Sequence, residues 1–133
     1  MTAGREALQR ALAAEHAAVY GYGVVGGVLG EDSSLATTGY ADHRGHRDRL
    51  IELIGADAVA AEPAYQLPFR VSNERQAERL GIEIEHRCAK VYAGVVSQTT
   101  GKHRMLAARS LAECAVRALD WGADPEPFPG LGD

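Results

Sequence analysis

The feature that most constrains this 133-residue chain is a stretch without helical pattern, "ADAVAAEPAYQLPFRV" (56–71), set between segments that have one. On either side of it, apolar residues recur at helical spacing. The first segment runs from about Thr2 to Leu29, with Leu8, Leu12, Val19, Tyr22, Gly26 and Leu29 on one stripe. The second opens at Ser33 or Ser34, either a good N-cap, and carries Leu35, Leu50, Leu53 and Ile54 to a stop at Gly55. The third spans about Ser72, read as its N-cap, to Thr99. The fourth spans about Gly101 to Gly122, ended by Gly122 and Pro125. No segment alternates with a period of two, so the chain is all-α.

The connections then choose among all-α folds. Segments one and two meet across "GEDSS", and three and four across "TTG". Turns that short make each pair an antiparallel helical hairpin. A long structureless loop is unusual in a compact domain and needs a purpose. Sixteen extended residues reach about 50 Å, whereas a helix of about 22 residues is about 33 Å long. The stretch 56–71 can therefore run the length of a bundle and reverse the second hairpin, with Tyr65, Leu67 and Phe69 pinning it to the surface. Two hairpins joined by one long crossover is the ferritin-like arrangement. The expected fold is thus a single ferritin-like four-helix bundle over residues 1–133, with a proline-rich C-terminal tail.

Charge and hydropathy exclude several functions. The net charge is −4, with arginines dispersed among 18 acids, so no basic stripe offers itself to nucleic acid. The N-terminus is charged every few residues and has no apolar core for a signal peptide. The longest apolar run, Val24 to Leu29, is far too short for a membrane span. A cytoplasmic protein is expected. Cys88 and Cys114, about equally far from the third turn, can face each other there as reduced core thiols.

The chain also repeats itself faintly. At an offset of 70, Glu15 meets Glu85, His16 meets His86, Tyr22 meets Tyr92 and Val25 meets Val95. The same offset pairs His43 with Glu113 and Arg47 with Arg117. A constant offset across two helices points to a duplicated hairpin.

Several polar residues lie where apolar ones belong. Glu15 falls within the stripe of Leu8, Leu12 and Val19, and Asp42, His43 and His46 lie on or near that of the second helix. Glu85 flanks the third stripe. Carboxylates are rarely buried unless paired or coordinating. A carboxylate-bridged metal pair in such a bundle takes a Glu from each of two helices and Glu-x-x-His from the other two. Glu15 and Glu85 suit the first role. The second helix offers His43-x-x-His46 instead, and the fourth has Val116 three residues after Glu113. Glu113 projects away from the fourth apolar stripe, toward a solvated pair with Arg117. Two readings follow. One is a polar network in which Glu15 and Glu85 meet His43, His46 or an arginine such as Arg47. The other is a single iron or manganese site from Glu15, His43 and Glu85, with His46 in reserve. His16, His86 and His103 are expected at the rim. Gly21, Gly23, Gly26, Gly27 and Gly30 each cost a helix about 1 kcal/mol, and close helix packing or a pocket-lining kink would explain them.

"ALAAEHAAVYGYGVVG", "HRGHRDRL", "EPAYQLPF", "AVRALDWG" and "PEPFPGL" together resemble an uncharacterised actinobacterial family of ferritin-like domains. The resemblance covers nearly the whole chain in order and implies a four-helix ferritin-like domain without an assigned activity. It emphasises Glu15, His43, Arg47, Asp48 and Glu85, and it implies arginine where this chain has His46. The expectation is a non-catalytic or degenerate ferritin-like domain, homodimeric, that binds a protein or small-molecule partner. The alternative is a metal-binding oxidoreductase. The tail "DPEPFPGLGD" is expected to fold back and bury Phe128 and Leu131 across the helix ends.

Overall fold

A computed structural model describes residues 2–132. Four helices account for most of the chain: α1 (Ala3–Leu29), α2 (Ser34–Ile54), α3 (Glu74–Gln98) and α4 (Gly101–Asp120). No strand occurs among the described residues. Local chemistry sets the starts. Thr2 Oγ1 accepts from the Arg5 amide, and Ser33 Oγ from Ala36. Asn73, rather than the expected Ser72, caps α3 by accepting from the Gln76 amide at 2.9 Å. Ser72 instead donates its own amide to the Gln76 side chain at 2.7 Å, so Gln76 accepts from the residue before the cap while Asn73 caps its amide. α1 and α2 end at Gly30 and Gly55, whose φ of 83° and 85° is a conformation that suits glycine.

The helices pack as two hairpins, α1 with α2 and α3 with α4, joined face to face through α1 and α3. Paired contacts show that all neighbours are antiparallel. Tyr22 reaches Glu85 while Tyr92 reaches Glu15. His46 meets Glu113 while Asp42 meets Arg117. α3 thus starts at the opposite end of the bundle from the end of α2, and the connection must travel its whole length. It opens with a single 3-10 turn, Gly55–Asp57, and then runs extended over the α1–α3 seam. Gln9 holds it at Asp57 and Val59, and His16 Nε2 lies 2.9 Å from the Val59 carbonyl. Tyr65 packs on Tyr20, Leu67 and Phe69 pack on the core, and Arg79 stacks on Phe69 at 4.4 Å. These side chains pin the crossover as the sequence implies. α2 and α4 barely touch, and that seam stays open.

Three details differ from the sequence expectation. Leu53 is exposed. Of the five glycines from Gly21 to Gly30, only Gly21 has a close neighbour: a Cβ there would lie 2.7 Å from Ile84 Cδ1, whereas Gly23, Gly26, Gly27 and Gly30 face open space. The tail does fold back, but it leaves Phe128 and Leu131 72% and 73% exposed. Glu126 pairs with His86 at 3.1 Å. A Cβ on Gly130 would lie 2.6 Å from the Ala89 carbonyl oxygen. Those two anchors press the tail's polar and backbone groups against α3 and turn its apolar side chains outward. Asp133 lies outside the described residues.

Candidate functional site

At mid-bundle each helix turns polar groups inward, and four of the expected residues meet there. His43, on α2, is fully buried between two fully buried glutamates. Its Nδ1 bonds Glu15 Oε1 from α1, and its Nε2 lies 2.9 Å from Glu85 Oε2 on α3. One turn on, His46 Nδ1 lies 3.0 Å from Glu15 Oε2, and its Nε2 lies 2.7 Å from Glu113 Oε2 on α4. The spacing of three residues is what places both imidazoles on one face of α2.

Two tyrosines complete the glutamates. Tyr22 donates to Glu85 Oε2, and Tyr92 donates to Glu15 Oε2 at 2.5 Å. Tyr22 and Tyr92 are partners at the offset of 70, as are Glu15 and Glu85. Each half's tyrosine therefore serves the other half's glutamate, an exchange with two-fold character. Trp121 Nε1 donates to the Tyr22 oxygen at 2.9 Å. Gly81 makes room for the indole: a Cβ there would sit 2.6 Å from the ring.

Charge follows from the bonding. A neutral imidazole has one donor and one acceptor, yet both nitrogens of His43 and of His46 face carboxylate oxygens. Two ionised carboxylates are satisfied only by an imidazolium between them. Burial alone disfavours the charged His43, but the bonds to Glu15 and Glu85 outweigh it and carry the pKa up to about 10. For Glu15, burial pushes upward, and the bonds and charges of His43 and His46 overcome it, bringing the pKa to about 2. His46 is also raised, with burial opposing and Glu15 prevailing. Burial and the neighbouring carboxylates push both tyrosines up, so they remain donors.

The arginine of the cluster is not Arg47. Arg47 Nε pairs with the exposed Asp48 at 2.9 Å, outside the bundle. Arg117, on α4, turns inward: it is 7% exposed, bonds Asp42, and holds Nη1 3.7 Å from Glu85 Oε1. Those last two atoms are buried without a hydrogen bond. Glu113, expected to pair with Arg117 in solvent, is half exposed but bends over to His46. His16 is buried under the crossover instead of lying at the rim, while His86 and His103 are not buried. Cys88 and Cys114 are both buried and free. A hydrogen bond to Cys114, together with burial, raises the Cys88 thiol, so nothing here favours a thiolate.

Two groups bring potential ligand atoms within 4.8 Å of one another: Glu15, His43 and His46, and His43, Glu85 and Cys114. Both need His43. A metal takes the lone pair of a neutral imidazole, whereas both His43 nitrogens are occupied by carboxylates from facing helices. The Arg117 cation stands beside Glu85 as well. As arranged, His43 has no free lone pair to offer, and the donor set does not fit a resident cation. Toward solvent, the α2–α4 seam opens into a groove of about 480 Å³ lined by Ser34, Leu35, Thr38, Glu113, Val116 and Arg117, among others.

No helix among the described residues is long and apolar enough to cross a membrane. No curated protein matches the chain. A crystal structure of a conserved hypothetical protein, rv2844, from Mycobacterium tuberculosis is similar: 36% identity over 90% of this chain and 94% of that one, with a TM-score of 0.85. The family described as domain of unknown function DUF4439 matches residues 7–133, nearly the full length, and the chain belongs to it.

Proposed function

We propose that this chain is a ferritin-like domain in which protein cations stand where such bundles hold metal, and that it is a non-catalytic binding module. The helix order, the single long crossover and mid-helix glutamates on α1 and α3 support the ferritin-like assignment. One observation carries the rest: His43 bridges Glu15 and Glu85 with both ring nitrogens. Two glutamates that would share a metal share an imidazolium, and Arg117 adds a second positive charge beside Glu85. A ligand would reach the network through the α2–α4 groove, whose charged lining is Glu113, Arg117 and Asp120. Free, buried cysteines suit a cytoplasmic setting.

The closeness of Glu15, His43 and His46 favours a second reading, an iron- or manganese-binding oxidoreductase. Its ligands would be Glu15, His43 and Glu85, with His46 in reserve. Elemental mass spectrometry separates the two, using untagged protein loaded anaerobically with ferrous or manganous ion and then desalted. The binding module retains far less than one metal per chain. About one metal per chain, lost in both Glu15→Ala and His43→Ala, establishes the metalloprotein and sinks the first reading.

A further inference from the structure

α4 has two opposite faces. Ala107, Ser110, Cys114, Arg117 and Ala118 are buried, while Met105, Ala108, Ala112, Val116 and Leu119 all face solvent. Steps of 3, 4, 4 and 3 residues keep the exposed five within about 80° of the helix surface. Met105, Val116 and Leu119 are 60%, 57% and 45% exposed. A contiguous exposed apolar stripe marks an interaction surface, and two features identify its occupant.

The first is spacing. The stripe reads the same in both directions about Ala112. Laid antiparallel on itself, it sets Met105 against a second copy's Leu119, Ala108 against its Val116, and Ala112 against its own equivalent. Small residues fall at the centre, where two helices must approach closely, and large ones at the ends. The second is charge. Along the edge facing α2 stand Lys102, Arg109, Glu113 and Asp120, all exposed and in the order plus, plus, minus, minus. The same antiparallel alignment brings Lys102 beside the copy's Asp120 and Arg109 beside its Glu113, each pair occurring twice. A parallel two-fold would set this edge against the opposite edge of the partner helix and leave these four charges without their complements. Edge charges of this kind set orientation and partner choice in helix pairs, and self-complementarity is the requirement of a two-fold interface.

We propose that a second copy of this chain docks there, giving a homodimer built on antiparallel α4 helices with its axis at Ala112. The tail beside Leu119 widens the patch with exposed Phe128 and Leu131, toward the roughly 800 Å² per partner of stable interfaces. The interface shares Ala112, Glu113, Val116 and Asp120 with the mouth of the α2–α4 groove, so a docked copy would restrict that entrance, while the oligomeric state itself can be read whatever the buried cluster binds.

Light scattering on a sizing column tests it with the full chain. The expected mass is twice the 14.2 kDa of one chain, falling to one chain in Val116→Glu with helicity intact. Lys102→Asp or Asp120→Lys alone weakens the dimer on the order of tenfold, and the two together restore it. Ala112→Cys, at the axis, cross-links to its own copy under mild oxidation, since the native thiols are buried. Gly27→Glu, on the open glycine face of α1, leaves the dimer unchanged. A chain that is monomeric at every concentration, a dimer indifferent to Val116→Glu, or one split by Gly27→Glu overturns the proposal.

Discussion

The bundle has two long seams of opposite character. Along α1–α3 the crossover lies as a strap, Gly21 lets Ile84 approach, and reciprocal tyrosine–glutamate bonds tie the hairpins together. Along α2–α4 none of the described residues covers the join, and polar links bridge it, His46 to Glu113 and Arg117 to Asp42. The covered seam is where the helices are committed to one another. The open seam is where the cluster meets solvent. A fold held by one side can leave the other free for a ligand, and substitutions on the two sides should differ accordingly.

The largest effect belongs to Glu15. Glu15→Ala removes the carboxylate that answers His43, His46 and Tyr92 together, leaving the Nδ1 of each buried imidazole and the Tyr92 hydroxyl without a partner. The expected loss is about 3–5 kcal/mol of unfolding free energy, read by urea denaturation. A loss below about 1 kcal/mol would show that the network contributes little to stability.

The pH dependence follows in size and has a definite sign. The His43 pKa is higher folded than unfolded, so its contribution is complete below about 6.5 and is lost as pH rises through about 10. The Glu15 pKa is lower folded, so its contribution is present above about 4.5 and is lost as pH falls through about 2. Stability should therefore be greatest between about pH 4.5 and 6.5 and decline on the alkaline side. Urea midpoints that climb steadily from pH 7 to 9.5 would contradict a charged His43.

Much of this was legible in the sequence because periodicity reports the direction in which a Cα presents its side chain. Glu15, His43 and His46 sit on apolar stripes, and Glu85 flanks one, so all four were expected to share one site. Turn lengths likewise separated hairpins from crossover. Periodicity is silent on reach. Arg117 and Glu113 leave α4 on its flank, and their long side chains bend back, one under the seam and one over it, to groups on α2 and α3. Arg47 was the more plausible arginine by position, but it finds Asp48 first. The tyrosines carry a signal of their own in the sequence: the offset of 70 matches Tyr22 to Tyr92 as it matches Glu15 to Glu85. The tail's orientation depends on Gly130 and Glu126, which no hydrophobic pattern records.

Gly81 tests how tightly the closed side is packed. Gly81→Ala drives a methyl into the Trp121 indole, an overpacking expected to cost about 1–3 kcal/mol. Trp121 is the single tryptophan, so displacement from Tyr22 should shift its fluorescence maximum to the red as the indole gains water. An unchanged spectrum and midpoint would mean that the ring is free to move aside.

Glu113→Gln isolates the open seam and is the smallest effect. The glutamine keeps the size and an acceptor for His46 Nε2 but removes a charge from a half-exposed pair. Exposed pairs contribute about 0–1 kcal/mol, so the urea midpoint should barely move. The His46 pKa should fall, because the Glu113 charge helps to raise it, and NMR titration of the ring protons reads that directly. The same substitution carried into Glu15→Ala separates the seams: if they act independently, the two losses add within a few tenths of a kcal/mol. A coupling larger than that would mean His46 transmits the charge of the open seam into the closed core, and that the two sides form one electrostatic unit rather than a scaffold and a mouth.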